Sequence, residues 1–182
     1  MYADWRTIGF EDGSRGLLEQ RIGDHRKACA EYGVTPDLAL YRAGHAQGMI
    51  SFCSPRNGFR RGQNGASYND NCPPELEEGF LDAFRAGREV HQAAKALSTL
   101  EHDIAAEKQR LEDLSTRIAK KEKALIQKGN TEESRKKIYN QIKKLENEFL
   151  EAKHDLEQLY ANHYAAEDSL EFLKDQYSSY LD

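Results

Sequence analysis

The sequence predicts an all-α protein, in which a small glycine-rich, disulfide-tied helical region precedes a long antiparallel helical hairpin. The first 75 residues contain all three cysteines, all four prolines, the only tryptophan and most of the 13 glycines. The remainder is rich in Ala, Leu, Glu, Lys and Arg, lacks proline, and carries two heptad patterns around a central glycine. A boundary near Pro73 and Pro74 therefore divides the chain into a helical and loop base, 1–75, and a coiled-coil hairpin, 76–182.

The overall composition favours extended helices over one compact globule. Hydrophobic residues make up 38% of the chain and charged residues 31%, which is too polar for a single large core. No stretch approaches the roughly 20 consecutive apolar residues that span a bilayer. We therefore expect a soluble chain of elongated shape.

Two heptad ladders define the predicted hairpin. The first ladder consists of Leu97, Leu100, Ile104, Glu107, Leu111, Leu114, Ile118, Lys121 and Leu125. The second consists of Ile138, Ile142, Leu145, Phe149, Ala152, Leu156, Leu159, His163, Ala166, Leu170, Leu173, Tyr177 and Tyr180. Steps of three and four residues sustained over this length predict two helices that share one seam. The polar members of the seam are interpreted as register or edge residues: Glu107, Lys121 and His163.

A short connection at 128–131 predicts that the two helices are antiparallel neighbours. Gly129 suits a left-handed cap at the end of the first helix, and Thr131 suits the N-cap of the second. Each helix would be roughly 75 Å long at 1.5 Å per residue. Residues from 163 onward would then lie beside 76–97.

The predicted tip of the hairpin, residues 117–144, is strongly basic. It contains ten basic and three acidic residues, a net charge of +7 in a chain whose formal charge is -5. Such a tip attracts phosphates by charge alone, although a solvated lysine-rich end is the alternative. We predict an anionic or protein partner and no nucleic acid. The predicted partner-binding residues are Lys120, Lys121, Lys123, Lys128, Arg135, Lys136, Lys137, Lys143 and Lys144.

Glycines that follow aromatic residues predict short, closely packed helices in the base. The three predicted helices span 4–13, 17–32 and 37–53, and Thr35 or Asp37 opens the third. Glycines repeated on one helix face allow two backbones to approach each other.

The stretch 54–74 is predicted to consist of turns throughout. Asn57-Gly58 and Asn64-Gly65 favour turns with positive φ. The stretch lacks the Gly-Lys-Ser/Thr ending of a phosphate-binding loop, which excludes that class of nucleotide site. A structural loop is preferred over an anion site formed by its three arginines, Arg56, Arg60 and Arg61.

The three cysteines predict one disulfide and one unpaired thiol. Cys53 and Cys72 bracket the loop, so we pair them in a bond worth on the order of 3 kcal/mol, which leaves Cys29 unpaired. An oxidising compartment follows from that pairing. The alternatives are a zinc site that adds His25 or His45 to the three cysteines, and a cysteine nucleophile with one of those histidines as base. We expect no metal and no cofactor.

An ordered series of motifs resembles a known family. The series is DW-x3-G-x2-DG-x2-G, AC-x3-GV-x-PD-x3-Y-x2-G-x3-G-x3-FC, NGF-x2-G-x2-G-x2-Y-x3-CP and F-x2-GR, between residues 4 and about 91. These motifs are similar to the YfiL-like family of Gram-negative envelope lipoproteins, a domain of unknown function. The resemblance implies an exported, lipid-carrying precursor and a cysteine upstream of Asp4, which would pair with Cys29. It also implies that Met1 follows a trimmed N-terminus.

These observations favour a non-catalytic interaction or spacer protein of the cell envelope. We expect it in the periplasm, with the full-length precursor anchored in the outer membrane. Its hairpin would present the basic tip to another envelope protein or to an anionic envelope component. One alternative is a cell-wall glycan binder or hydrolase that uses Trp5, Tyr41 and Tyr68 with acids such as Asp12 or Asp37. The other is a coiled coil that self-associates into a homodimer.

Overall fold

The computed structural model describes residues 4–180, which are all-α as predicted, with no strand in that range. The helices are α1 (Trp5–Ser14), α2 (Ile22–Ala30), α3 (Leu38–Phe52), α4 (Pro55–Gln63), α5 (Pro74–Leu125) and α6 (Glu132–Gln176). Short 3₁₀ turns lie at Glu19–Arg21 and Ser178–Tyr180. The outermost residues of the two predicted regions, 1–3 and 181–182, lie outside the described residues.

The chain forms two compact units. One unit consists of the described residues up to 92 together with those from 172 onward, and the other consists of 93–171. The composition break near Pro73 and Pro74 coincides with the start of α5. As a domain boundary, it stays a prediction.

Helices α1 and α3 run parallel and touch through their backbones. A Cβ at Gly9 would overlap the carbonyl oxygen of Tyr41, and a Cβ at Gly44 would overlap that of Arg6. Gly13 and Gly48 repeat both contacts one turn later. The close packing predicted from the glycine spacing is therefore confirmed, and larger residues are excluded from these positions.

The starts of α1 and α3 are capped by side chains, whereas α2 starts without a side-chain cap. The carboxylate of Asp4 accepts hydrogen bonds from the backbone N–H groups of Arg6 and Thr7 at the start of α1. Asp37 accepts a hydrogen bond from Leu40 N–H at the start of α3. Of the two predicted candidates, Thr35 and Asp37, the N-cap is therefore Asp37. The predicted helix 17–32 is shorter in the structure, because Leu18 has an extended backbone with a ψ of 150° and Glu19–Arg21 forms a 3₁₀ turn. The α-helix itself spans only Ile22–Ala30.

The prediction that 54–74 is made of turns throughout is wrong, because its first part is α4. Ser54 caps this helix and Pro55 occupies the first turn, where its missing N–H costs nothing. Gly58 is helical and does not form the predicted turn with positive φ, whereas Gly65 does have a φ of +70°. The remaining stretch, from Asn64 to the start of α5, is non-helical.

The glycines of α4 pack against α5 as those of α1 pack against α3. Gly58 faces the carbonyl oxygen of Phe80, and Gly62 faces that of Phe84. On α5, Gly87 likewise faces the carbonyl oxygen of Phe59 on α4. The segment Gly-Phe-x-x-Gly occurs in both α1 and α4, so the same close helix packing occurs twice in this unit.

The disulfide between Cys53 and Cys72 lies in the hydrophobic core of this unit, with a Cα–Cα distance of 5.7 Å. The predicted pairing is therefore confirmed. The bond links the end of α3 to Cys72, which is followed by Pro73 and by the start of α5 at Pro74. The buried core cluster around it contains Met49, Phe52, Phe80 and Phe84.

The second unit is an antiparallel helical hairpin with the predicted seam. All seam members within it are buried or half-buried, and Leu114, Leu145 and Ala152 form a buried cluster. Lys121 donates a hydrogen bond to Gln141, and His163 faces Glu101 at 3.9 Å, so the two helices run in opposite directions.

The turn of the hairpin differs from the prediction in its cap. Gly129 has a φ of +96°, as expected, but α5 already ends at Leu125. The side-chain amide of Asn130 reaches back and donates to the carbonyl oxygens of Ala124 and Leu125. Thr131 accepts a hydrogen bond from Ser134 N–H as the predicted N-cap of α6.

We expect Gly44→Ala to lower the free energy of unfolding by about 2 kcal/mol or more, because the new methyl group overlaps the Arg6 carbonyl. The matched control is Gly23→Ala in α2, where an added Cβ meets nothing within 4 Å. This control should gain about 0.5 kcal/mol from reduced backbone entropy. Urea denaturation of both variants checks the difference, and equal effects would contradict the packing.

Candidate functional site

The structure places the nine predicted binding residues on the last turns of α5, the connection and the first turns of α6. Three have partners: Lys121 bonds Gln141, Lys143 pairs with Glu146 at 2.7 Å, and Lys144 lies 3.9 Å from Glu148. The other six are exposed and form no ion pair within residues 4–180: Lys120, Lys123, Lys128, Arg135, Lys136 and Lys137.

The ion pairs of the tip do not neutralise its charge. The hydrogen bond that Lys143 donates to Glu146 raises the pKa of Lys143, so that lysine stays protonated well above neutral pH. Both side chains are exposed, and ion pairs of this kind contribute little to stability. The tip therefore keeps a concentrated positive charge. Such a charge favours the binding of anions.

Two exposed large apolar residues lie among these cations. Ile126, the first residue after α5, is 81% exposed, and Tyr139 in the first turns of α6 is 51% exposed. The Nζ of Lys143 lies 5.7 Å from the Tyr139 ring centroid. Ile126 is not among the residues predicted from the sequence, although its position directly after the last seam residue, Leu125, was a usable signal.

Two of the three cysteines form a structural disulfide. The disulfide uses the thiols of Cys53 and Cys72, which removes two of the ligands that the zinc alternative needs. Cys29 is a half-buried free thiol on α2. No group of three or more His, Cys, Asp or Glu side chains within residues 4–180 is arranged to hold a metal ion.

A buried polar network that the sequence did not reveal joins α1, α2 and α3. The Tyr41 hydroxyl donates to Oδ2 of Asp12 at 2.8 Å, and Nε2 of His25 lies 2.7 Å from the same oxygen. Burial raises the pKa of Tyr41 above its ordinary value, and the bond to Asp12 adds to the effect. The partners are sequence-distant, so only the packing of α1 on α3 brings them together.

The residues of the glycan alternative lie mostly in the core. Trp5 and Tyr41 are buried, so neither ring is available as a sugar-stacking platform. Tyr68 packs on Phe80 and donates to Glu77. Of the two candidate acids, Asp12 is bonded to Tyr41 and Asp37 caps α3.

The three arginines of the predicted loop lie on α4. Arg60 donates to the side chain of Asn57 at 2.8 Å, and Arg61 stacks its guanidinium over the Phe52 ring at 5.1 Å. Arg56 and Arg60 line a cleft of about 490 Å³ together with Ser51. Arg61 is therefore held in the packing of α4, and only the other two face the cleft.

Residues 4–89 match a family described as a protein of unknown function (DUF2799). The match supports the assignment of this segment to a family of unknown function. It covers α1 to α4 and the first turns of α5, and it ends before the hairpin unit. No curated protein and no solved structure matches the chain.

We expect Tyr41→Phe to lower the free energy of unfolding at pH 7 by about 1–3 kcal/mol, because Asp12 loses a buried donor. Above about pH 10 the unfolded tyrosine ionises while the folded one stays protonated, so wild-type stability falls as pH rises. The gap between wild type and variant should narrow by roughly 0.8 kcal/mol at about pH 10.5. Urea denaturation at both pH values checks this, and an unchanged gap would contradict the buried bond.

Proposed function

We propose that the protein is a non-catalytic interaction protein of the cell envelope, whose hairpin presents the basic tip, residues 117–144, to an anionic partner. One observation carries the proposal: six exposed cations at one end of the hairpin form no ion pair within the described chain. A cluster of like charges is unfavourable in isolation and becomes favourable when an anionic surface covers it.

The hairpin seam supports this role because it fixes the positions of the cations. The buried seam continues to Leu114, Leu145 and Ile142, close to the tip, so the basic residues project from ordered helices. Asn130 and Thr131 satisfy backbone groups at the turn. A pre-ordered charged surface loses less conformational entropy on binding than a flexible tail.

The disulfide supports an envelope location. A buried bond between Cys53 and Cys72 is typical of oxidising compartments such as the bacterial periplasm. The finer resemblance to YfiL-like envelope lipoproteins, with an outer-membrane anchor on the precursor, belongs to the same proposal. Within residues 4–180, no helix is long and apolar enough to cross a membrane.

A second candidate function, self-association through the hairpin, is favoured by exposed residues on α6. Leu150 and Tyr164 are 63% and 64% exposed. They lie 14 residues apart, close to four full helical turns, and therefore share one face of α6. Such a face matches the seam of a bundle formed by two hairpins.

The proposed function predicts that Lys136→Glu with Lys137→Glu abolishes partner capture. The double variant reverses two exposed, unpaired cations while leaving the seam intact, so its circular dichroism should be unchanged. The matched control is Arg26→Glu with Lys27→Glu, two adjacent exposed cations on α2. Quantitative pull-down from envelope extracts should lose partners only with the tip variant. Identical partners with all three proteins would contradict the proposal.

For self-association, we expect Leu150→Glu with Tyr164→Glu to convert a dimer to a monomer. Two carboxylates placed on the paired face would repel their copies in the partner hairpin. Multi-angle light scattering of the full chain measures the mass directly. A monomeric wild-type protein, or a dimer that the variant leaves intact, would rule out this second candidate.

A further inference from the structure

We propose that the basic tip docks on the surface of an anionic phospholipid bilayer. In this arrangement Ile126 and Tyr139 enter the boundary between headgroups and acyl chains, and the surrounding cations contact lipid phosphates. The inference rests on the proposed function, because it names the anionic partner of the same tip. It adds a requirement for apolar contact that a purely ionic partner does not have.

Ile126 is the main reason for choosing a bilayer. At 81% exposure it is the most exposed large apolar residue within residues 4–180. The seam of the hairpin already ends at Leu125, and the backbone at the end of α5 is capped by Asn130. The fold therefore makes no use of the Ile126 side chain, which directly follows the basic last turns of α5. The first turn of α6 carries Glu132 and Glu133, and the cations Arg135, Lys136 and Lys137 follow them.

Tyr139 adds a second group suited to the bilayer interface. Its ring is half-exposed, and the Nζ of Lys143 lies 5.7 Å from its centroid. Tyrosine is enriched at membrane interfaces, because its ring is apolar while its hydroxyl remains hydrated. The exposed Lys136 precedes Tyr139 by three residues, and Lys143 follows it by four, so these two cations share one face of α6 with the ring.

The combination of cations and apolar side chains distinguishes a lipid surface from other anions. A polyanion in water, such as an acidic polysaccharide, is bound by the cations alone and leaves Ile126 exposed. Surface-bound membrane proteins combine Lys and Arg with apolar residues that bury in the interface. Each cation near an anionic leaflet strengthens binding by about fivefold, so six unpaired cations supply a large electrostatic contribution.

The primary experiment measures co-sedimentation of the full chain with vesicles. One set contains phosphatidylcholine alone, and the other contains phosphatidylcholine with about a third phosphatidylglycerol, a composition that provides a substantial negative surface potential. We expect binding only to the anionic set, and weaker binding at high salt because the Debye length shortens. Lys136→Glu with Lys137→Glu should lower the partition coefficient by roughly a hundredfold or more.

The apolar requirement is tested with Ile126→Ser and a matched control. The control, Ile50→Ser, alters an isoleucine that is 59% exposed on α3. Ile126→Ser should weaken binding to the anionic vesicles by roughly five- to tenfold, while Ile50→Ser leaves it unchanged. Both positions are at the surface, so circular dichroism should show unchanged helix content for both.

A spectroscopic readout separates insertion from surface attraction. The only native tryptophan, Trp5, is buried in α1 and gives a constant background. In the variant Ile126→Trp, the emission should shift to the blue on anionic vesicles and be quenched by brominated lipid. Vesicle binding without that shift, or without an effect of Ile126→Ser, would overturn the proposed docking.

Immobilised heparin distinguishes the failure of this inference from that of the proposed function. Heparin binding that depends on Lys136 and Lys137, with no vesicle binding, would overturn the lipid surface while an anionic partner for the tip stands. Absence of both kinds of binding would overturn the two proposals together.

Discussion

Direct contact between helix backbones is the constraint on which the first compact unit depends. In two helix pairs, α1 with α3 and α4 with α5, carbonyl oxygens occupy the space where a Cβ would lie, so only glycine fits. This close approach places the large rings of Tyr41 and Phe80 between helices, fully buried. It also brings Asp12, His25 and Tyr41 into one hydrogen-bonded network. Glycine weakens an isolated helix, but here the packing that it permits outweighs that cost.

The hairpin unit is stabilised in a different way, and this difference has a functional consequence. Its helices associate through the side chains of one seam, where Leu114, Leu145 and Ala152 form a buried cluster. A seam of this kind needs only one face of each helix, and the remaining surface is free to carry charge. At the tip that surface is basic, and most of its cations form no ion pair within the described chain. In the base, by contrast, buried polar side chains such as Asp12 are hydrogen-bonded within the protein. Binding is therefore proposed at the tip.

The sequence predicts the features that are set by local spacing. The heptad spacing predicts the seam of the hairpin. The loop between Cys53 and Cys72 predicts the disulfide, and the position of Thr131 directly after the turn predicts that it caps α6. Helix α4 was missed because Asn57-Gly58 favours a turn locally, whereas in the structure Gly58 packs on α5. Two signals in the sequence were available: Ser54-Pro55 as a helix start, and the Gly-Phe-x-x-Gly segment shared with α1. The bonds of Asp12 connect distant parts of the chain, so no local pattern could reveal them.

Native-state amide hydrogen exchange tests most directly whether tertiary glycine contacts, and not local propensity, form α4. We predict that amides of α4 exchange together with those of α1, α3 and the first turns of α5, through one common opening of the unit. Gly58→Ala should then accelerate exchange in α4 first, because its Cβ would overlap the Phe80 carbonyl. Exchange of wild-type α4 at the rate of an unstructured peptide, while α1 and α3 remain protected, would show that the glycine contacts do not hold α4 in this unit.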